Sequence, residues 1–111
     1  MEDASLVLDR EQFRAITLED EDLMRQLLAT LIEDTSRQLQ LLELALREGD
    51  AHQCERLAHY SKGACASIGA NRVAAEFERL ERNASSGELQ ECAQQLRGLS
   101  AEVDLLRGES I

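Results

Sequence analysis

From about residue 19 the chain carries a long apolar stripe, Met24, Leu27, Leu28, Leu31, Thr35, Leu39, Leu42 and Leu46, whose three- and four-residue steps predict an amphipathic helix that stops at Gly49. Asp34-Thr35-Ser36 is where so long a helix could bend, because these side chains compete with the backbone for hydrogen bonds. Ahead of it, Asp9 with Gln12 three residues on reads as a capping pair for a short helix in which Phe13 and Ile16 face one way. Asp50 with Gln53 caps the next helix, whose buried face reads Ala51, Cys54, Leu57, Ala58, Cys65 and Ile68, and Gly69 can end it in a left-handed conformation. A fourth stripe holds Val73, Phe77, Leu80 and Ala84. Asn83 to Gly87 reads as a polar turn, after which Ser85 or Ser86 starts the last helix, Glu88 completing a capping box for the former. Leu89, Cys92, Leu96, Leu99, Val103 and Leu106 form its stripe, and Gly108 to Ile111 are expected to fray.

Helices are thus predicted over about 10–16, 19–48, 50–68, 70–84 and 86–107. Near-heptad stripes joined by short connections specify an all-α fold: an antiparallel up-and-down four-helix bundle with a short extra N-terminal helix lying across one end. The 111 residues suffice for one core and leave no room for a second lobe with a nucleotide site, so a single domain over 1–111 is expected. Composition agrees with the periodicity. There is no proline, Phe13, Phe77 and Tyr60 are the aromatics, and strong helix formers dominate with few β-branched competitors.

Charge and cysteine usage narrow the function classes. A formal net charge of -10 argues against DNA or RNA as a ligand, because binding a phosphate backbone needs a basic stripe. The acidity serves solubility and discrimination among protein partners. Cys54, Cys65 and Cys92 form no Cys-x-x-Cys pair and fall on apolar faces, as reduced core residues of a cytoplasmic protein do. No apolar run approaches the ~20 residues that span a bilayer, and no basic segment followed by an apolar one marks the amino terminus. A monomer away from membranes is expected.

The candidate chemistry lies on the third helix, in Ala58-His59-Tyr60-Ser61-Lys62-Gly63. Lys62 is the one lysine of the chain; every other cation is arginine. Positions three and four apart share a helix face, so His59, Lys62 and Gly63 come together as nucleophile, counter-charge and gap, a set that suits a phosphoryl group. The core stripe passes through 54, 57, 58, 61, 65 and 68, which turns His59 to solvent on the flank of the bundle. A lone histidine there would read as an ordinary surface residue. Gly63 changes the weighing, since glycine inside a helix costs about 1 kcal/mol relative to alanine and here clears space beside the imidazole.

The stretch from Leu57 to Ala70, Leu-Ala-His-Tyr-Ser-Lys-Gly-Ala-Cys-Ala-Ser-Ile-Gly-Ala, resembles the signature of histidine-containing phosphotransfer (HPt) domains, in which Ala-His-x-Leu-Lys-Gly leads through small residues to a Leu-Gly-Ala turn. The long preceding helix, the Glu-Gly-Asp break at 48–50 and the two following helices extend the resemblance over nearly the whole chain. Ser61 stands where leucine is usual, and Ala64 and Cys65 replace a common serine pair. These departures bear on packing and on the rim of the site more than on its chemistry.

The resemblance implies that His59 accepts a phosphoryl group from an aspartyl phosphate on a response-regulator receiver domain and passes it to another receiver or returns it. Lys62 would neutralise charge on the phosphoryl oxygens, and Gly63 would admit the phosphoryl group and the partner's backbone. A sensor or hybrid histidine kinase would stand upstream. The Mg2+ ion and acceptor aspartate would belong to the receiver, leaving this chain with no cofactor and, lacking an ATP loop, no kinase activity of its own. In several members of that family a Gln or Glu on the following helix holds the ring nitrogen that is not phosphorylated. The same distance along this chain reaches Glu81, which would hold Nδ1–H and leave Nε2 to attack, or else belongs to a solvated face with Glu78 and Arg82.

Around the site, Arg56 either helps hold phosphoryl oxygens or serves surface solvation. Receiver docking would use Ala66 and exposed parts of the first helix near Ile16 and Leu18, two positions that core burial would explain equally well. Two other classes compete. His52, Glu55 and His59 lie along one face and resemble a metal set, but no fourth ligand is evident and Lys62 would be a nearby cation without a role, so no metal site is assigned. The chain could also be a non-catalytic helical adaptor that binds a receiver or kinase without phosphotransfer.

Overall fold

Three aspartates start the first three helices. The side chains of Asp9, Asp20 and Asp50 accept hydrogen bonds from the backbone N–H groups of Gln12, Leu23 and Gln53 at 3.1, 3.1 and 3.0 Å, satisfying donors that a first helical turn leaves unpaired. The computed structural model describes residues 7–109. They form α1 (Arg10–Ile16), α2 (Glu21–Arg47), α3 (Ala51–Ser67), α4 (Asn71–Ser85) and α5 (Leu89–Arg107), with no strand among them. The bundle is the antiparallel one expected from the stripes: α2 packs against α3 and α5, and α4 closes the ring against the same two.

The core is built from the predicted stripes, with additions. Leu28, Leu42, Cys54, Ala58, Cys65, Val73, Phe77, Leu80, Leu99, Val103 and Leu106 are buried, and Ala45, Ala74 and Leu8 join them. Burying a Val, Leu or Phe side chain stabilises by about 1.5–3 kcal/mol, so the shared interior of the four long helices holds the ring together. Leu27, Leu39, Leu46, Leu57, Leu89 and Leu96 sit half-buried at its margins. Thr35 does not interrupt α2, because its hydroxyl donates to the Leu31 carbonyl at 2.6 Å and so needs no other partner in the core.

Two expectations at helix ends need correcting. The last helix does not begin at Ser85 or Ser86, and no capping box forms with Glu88: α4 runs through Ser85, and α5 starts at Leu89 with Glu88 at its N-cap making no side-chain cap bond. Gly87 is the reason. At φ 75° it occupies the left-handed region, and the Gly87 and Glu88 N–H groups donate to the Ala84 and Asn83 carbonyls, so the serines are spent on ending one helix before the next can start. At the other end of the chain, Glu109 is not frayed. Its carboxylate pairs with Arg10 at 3.1 Å, while Ser110 and Ile111 lie outside the described residues.

α1 is pinned across the end of the bundle where α3 gives way to α4. The Asp9 N–H donates to the Gly69 carbonyl and the Gln12 side-chain amide to the Ala66 carbonyl, both at 2.8 Å. Gly69 is required there twice over: its φ is 89°, and a Cβ would stand 2.8 Å from the Asp9 carbonyl oxygen. Phe13 is fully buried, but Ile16, expected beside it, is 47% exposed. The inward position is taken by Thr17, whose hydroxyl donates to the Phe13 carbonyl at 2.8 Å. Leu18 and Glu19 then turn the chain into α2 with φ of 53° and 60°, a conformation that costs about 1–2 kcal/mol for residues with a Cβ.

Candidate functional site

α3 and α4 together build the site. Ser61, Ala58 and Cys65 anchor α3 inward, which rolls His59 outward, and its imidazole is 69% exposed on the bundle's flank. Leu80 and Phe77 anchor α4 in the same way and leave Glu81 at the seam facing α3. The Glu81 carboxylate spans the seam: one oxygen lies 2.8 Å from His59 Nδ1, and the other accepts a hydrogen bond from Lys62 Nζ at 2.8 Å.

Electrostatics assign the proton in this trio. Partial burial pushes the Glu81 carboxyl up, but hydrogen bonds and charge from Lys62 and His59 outweigh it and hold the group below its ordinary value. An ionised carboxylate only accepts, so the imidazole must carry its proton on Nδ1 to make this contact. In the neutral ring Nε2 then bears the free lone pair. The Glu81 carboxylate thus faces the Nδ1 side of the ring and leaves Nε2 without a hydrogen-bond partner among the described residues.

Of the residues predicted for the site, the structure brings together His59, Lys62 and Glu81. Gly63 is exposed one turn beyond His59, and a Cβ placed there would meet nothing within 4 Å. Ala66 continues the same face, exposed, with its carbonyl occupied by Gln12. Arg56 lies on the other flank of α3. It lines a hollow toward α2 with Gln38, Leu41 and Tyr60, and makes no ion pair among the described residues. Ile16 and Leu18 are exposed, the latter at 88%, at the exit of α1. His52, Glu55 and His59 do not gather as a ligand set, and no group of three or more His, Cys, Asp or Glu side chains does so among the described residues.

Tyr60 was not singled out by the pattern. Its hydroxyl donates to Asp34 on α2 at 3.2 Å, a bond that raises the phenol above its ordinary pKa, and the ring stands 55% exposed next to His59. The available signal was its place off the core stripe, directly beside the histidine. Asp34, which looked like a weak point of α2, instead receives both Tyr60 and Arg37.

Comparison with known proteins identifies the family and the fold. The family model described as Hpt domain matches residues 26–109. A search of curated protein sequences found no match. Among solved structures the fold is similar to the crystal structure of histidine-containing phosphotransfer protein B (HptB) from Pseudomonas aeruginosa PAO1, at 30% sequence identity and a TM-score of 0.86, over 94% of this chain and 90% of that one. No helix among the described residues is long and apolar enough to cross a membrane.

Proposed function

This chain belongs to the Hpt domain family, and from that premise we propose that it relays a phosphoryl group between aspartates of response-regulator receiver domains in a phosphorelay fed by a sensor or hybrid histidine kinase. The observation that carries the proposal is the solvent-facing His59 ring whose Nδ1 is engaged by Glu81, leaving Nε2 free.

In the proposed step the Nε2 lone pair attacks the phosphorus of an aspartyl phosphate. The N–P bond forms as the P–O bond to the aspartyl carboxylate breaks, and the electron pair leaves with that carboxylate. The positive charge that develops on the imidazole is met across the ring by the Glu81 carboxylate at 2.8 Å, so the nucleophile is stabilised as it reacts. Phosphoryl transfer depends mainly on positioning and on neutralising the equatorial oxygens. Lys62 has one donor on Glu81 and two remaining to turn toward those oxygens. Gly63 leaves the backbone bare where the partner must approach. The Mg2+ ion and the acceptor aspartate are the receiver's, and this chain acts as a carrier without a cofactor or kinase activity of its own.

Incubation with a phosphorylated receiver tests the proposal. An acid-labile, alkali-stable label on the wild type, absent from His59→Gln, is the expected result. An unlabelled wild type that nonetheless binds the receiver tightly would instead make the chain an adaptor.

A further inference from the structure

Glu81 offers the resting ring nothing that a glutamine could not, and the two side chains part company only when the histidine is loaded. At rest either one accepts from Nδ1–H, as Glu81 Oε2 does at 2.8 Å. Once Nε2 is bonded to phosphorus, the ring carries a formal positive charge that it can shed by releasing its Nδ1 proton. An amide could then turn its NH2 group to the bare nitrogen. A carboxylate has no hydrogen to give, so losing that proton would set an anionic oxygen against a lone pair across the same 2.8 Å.

Two ways out of that clash are closed. The carboxylate is not free to swing aside, because Lys62 Nζ holds its other oxygen at 2.8 Å and the Glu81 side chain is only 19% exposed. Nor does it readily take the proton itself: burial favours the neutral acid, but the hydrogen bonds from Lys62 and His59 keep the carboxyl below its ordinary value. Other charges do not stand in for it. Glu55 and Arg56 on α3, and Glu78 and Arg82 on α4, make no bond to either ring nitrogen among the described residues. On α2, Asp34 is engaged with Arg37 and Tyr60.

We infer that the loaded carrier keeps its Nδ1 proton through neutral and mildly alkaline pH, held by the Glu81 carboxylate, so that a phosphoryl group enters and leaves His59 without a proton passing to or from solvent. The inference rests on the phosphotransfer reading and adds to it the protonation state of the loaded ring. On the outward step an aspartate oxygen of the receiver bonds to phosphorus as the N–P bond breaks, and the electron pair returns to Nε2. The leaving group is then the neutral imidazole with Nδ1–H in place. A ring that had lost this proton would have to depart as an imidazolate anion or wait to be reprotonated. Glu81 is a positioning residue in this step, acting through the imidazole without touching phosphorus or its oxygens.

The test is an equilibrium, because a group that only orients the ring changes forward and reverse rates together and leaves their ratio alone. The full chain is paired with one receiver domain, phosphorylated with acetyl phosphate, that labels the wild type, and the loading constant is taken from forward and reverse single-turnover rates between pH 7 and 9. Each variant is divided by the wild type at the same pH, which cancels titrations of the receiver and of the phosphoryl group. By linkage, every proton released on loading multiplies the constant about tenfold per pH unit. The ratio for Glu81→Gln is expected to climb about tenfold or more across the range, and Glu81→Ala, which opens Nδ1 to water, should climb likewise. Lys62→Ala keeps the carboxylate and should stay flat within about twofold, even where its transfer is slow. The ¹⁵N shift of Nδ1 in the loaded proteins should be that of a protonated nitrogen in the wild type at pH 8 and move toward that of a bare one in Glu81→Gln. Flat ratios in the Glu81 variants, a climb in Lys62→Ala as steep as theirs, or a bare Nδ1 in the loaded wild type would overturn the inference while leaving the phosphotransfer reading intact. A wild type labelled by no receiver would remove both.

Discussion

Lys62 is bonded at rest to Glu81 on the neighbouring helix, Nζ to Oε1 at 2.8 Å, so the ammonium that would meet a phosphoryl group also holds the carboxylate that orients the imidazole. The two side chains are 31% and 19% exposed, a partly sheltered pair whose charges are less screened than those of an open surface pair.

That arrangement predicts coupling between the two residues. A charge-assisted hydrogen bond is worth about 1.5–3 kcal/mol, so Glu81→Ala is expected to slow transfer from a phosphorylated receiver by about tenfold or more. Glu81→Gln, whose amide oxygen still accepts from Nδ1, should lose less. Lys62→Ala removes both the charge for the phosphoryl oxygens and the anchor for Glu81, so the double variant Lys62→Ala/Glu81→Ala should be slower than either alone but by less than the product of the single effects. Strict additivity in single-turnover rates would mean that Lys62 does not act through Glu81. The ¹⁵N shifts of His59 give a second readout: the Nδ1–H tautomer should dominate in the wild type and lose ground in Glu81→Ala.

The same carboxylate makes an acid-side contribution to stability. Its folded pKa lies below the ordinary 4.5, so in the window beneath 4.5 the unfolded chain binds a proton that the folded chain refuses, and folding is increasingly penalised. The contribution is present above 4.5 and is lost as pH falls through the folded value. The difference in urea midpoint between wild type and Glu81→Gln should therefore hold steady from pH 7 down to about 4.5 and narrow as pH drops below 4.5. A difference that stays constant below pH 4.5 as well would show that the ionised carboxylate adds nothing to the fold.

On the alkaline side the buried thiols dominate. Burial pushes Cys54 and Cys65 up from 9.0 to about 11, and burial, aided by the Glu88 and Glu91 carboxylates, raises Cys92 as well. The unfolded chain then ionises first: stability is full below pH 9 and falls between pH 9 and 11, by up to about 2–3 kcal/mol for each of the first two thiols. Urea midpoints at pH 7.5 and 10.5 should fall further apart in the wild type than in Cys54→Ala or Cys65→Ala. Equal slopes would place the alkaline loss on other groups.

How much of this was legible in advance depended on whether a residue's role was set along one helix or between two. The stripes of α2 to α5 and the His59-Lys62-Gly63 spacing depend only on helical period, and both could be read from the chain. The exit of α4 could not, because Ser85, Ser86 and Glu88 satisfy a start signal as well as Gly87 satisfies a stop signal, and only the glycine's left-handed φ of 75° decides between them. Ile16 failed for a related reason: in a seven-residue helix one turn of periodicity cannot distinguish it from Thr17, and burial went to the threonine once its hydroxyl found the Phe13 carbonyl. The Tyr60–Asp34 bond joins residues 26 apart in the chain and carries no local pattern at all.

Gly63 gives the sharpest separation of stability from function. Nothing lies within 4 Å of where its Cβ would stand, and its backbone is ordinary helix, so the folded chain has no need of glycine there. Gly63→Ala should then stabilise the protein by about 0.5–1 kcal/mol, through the entropy that glycine loses in a helix, and raise the melting temperature by a few degrees. If the bare backbone exists to admit a phosphoryl group and the partner carrying it, the same variant should transfer more slowly, and Gly63→Val more slowly still, because the added carbons occupy space that is empty only until the receiver arrives. Thermal melts and single-turnover transfer on the same preparations check both halves. A more stable variant with undiminished transfer would show that the gap beside His59 is not used, whereas a less stable one would mean that the helix itself depends on it.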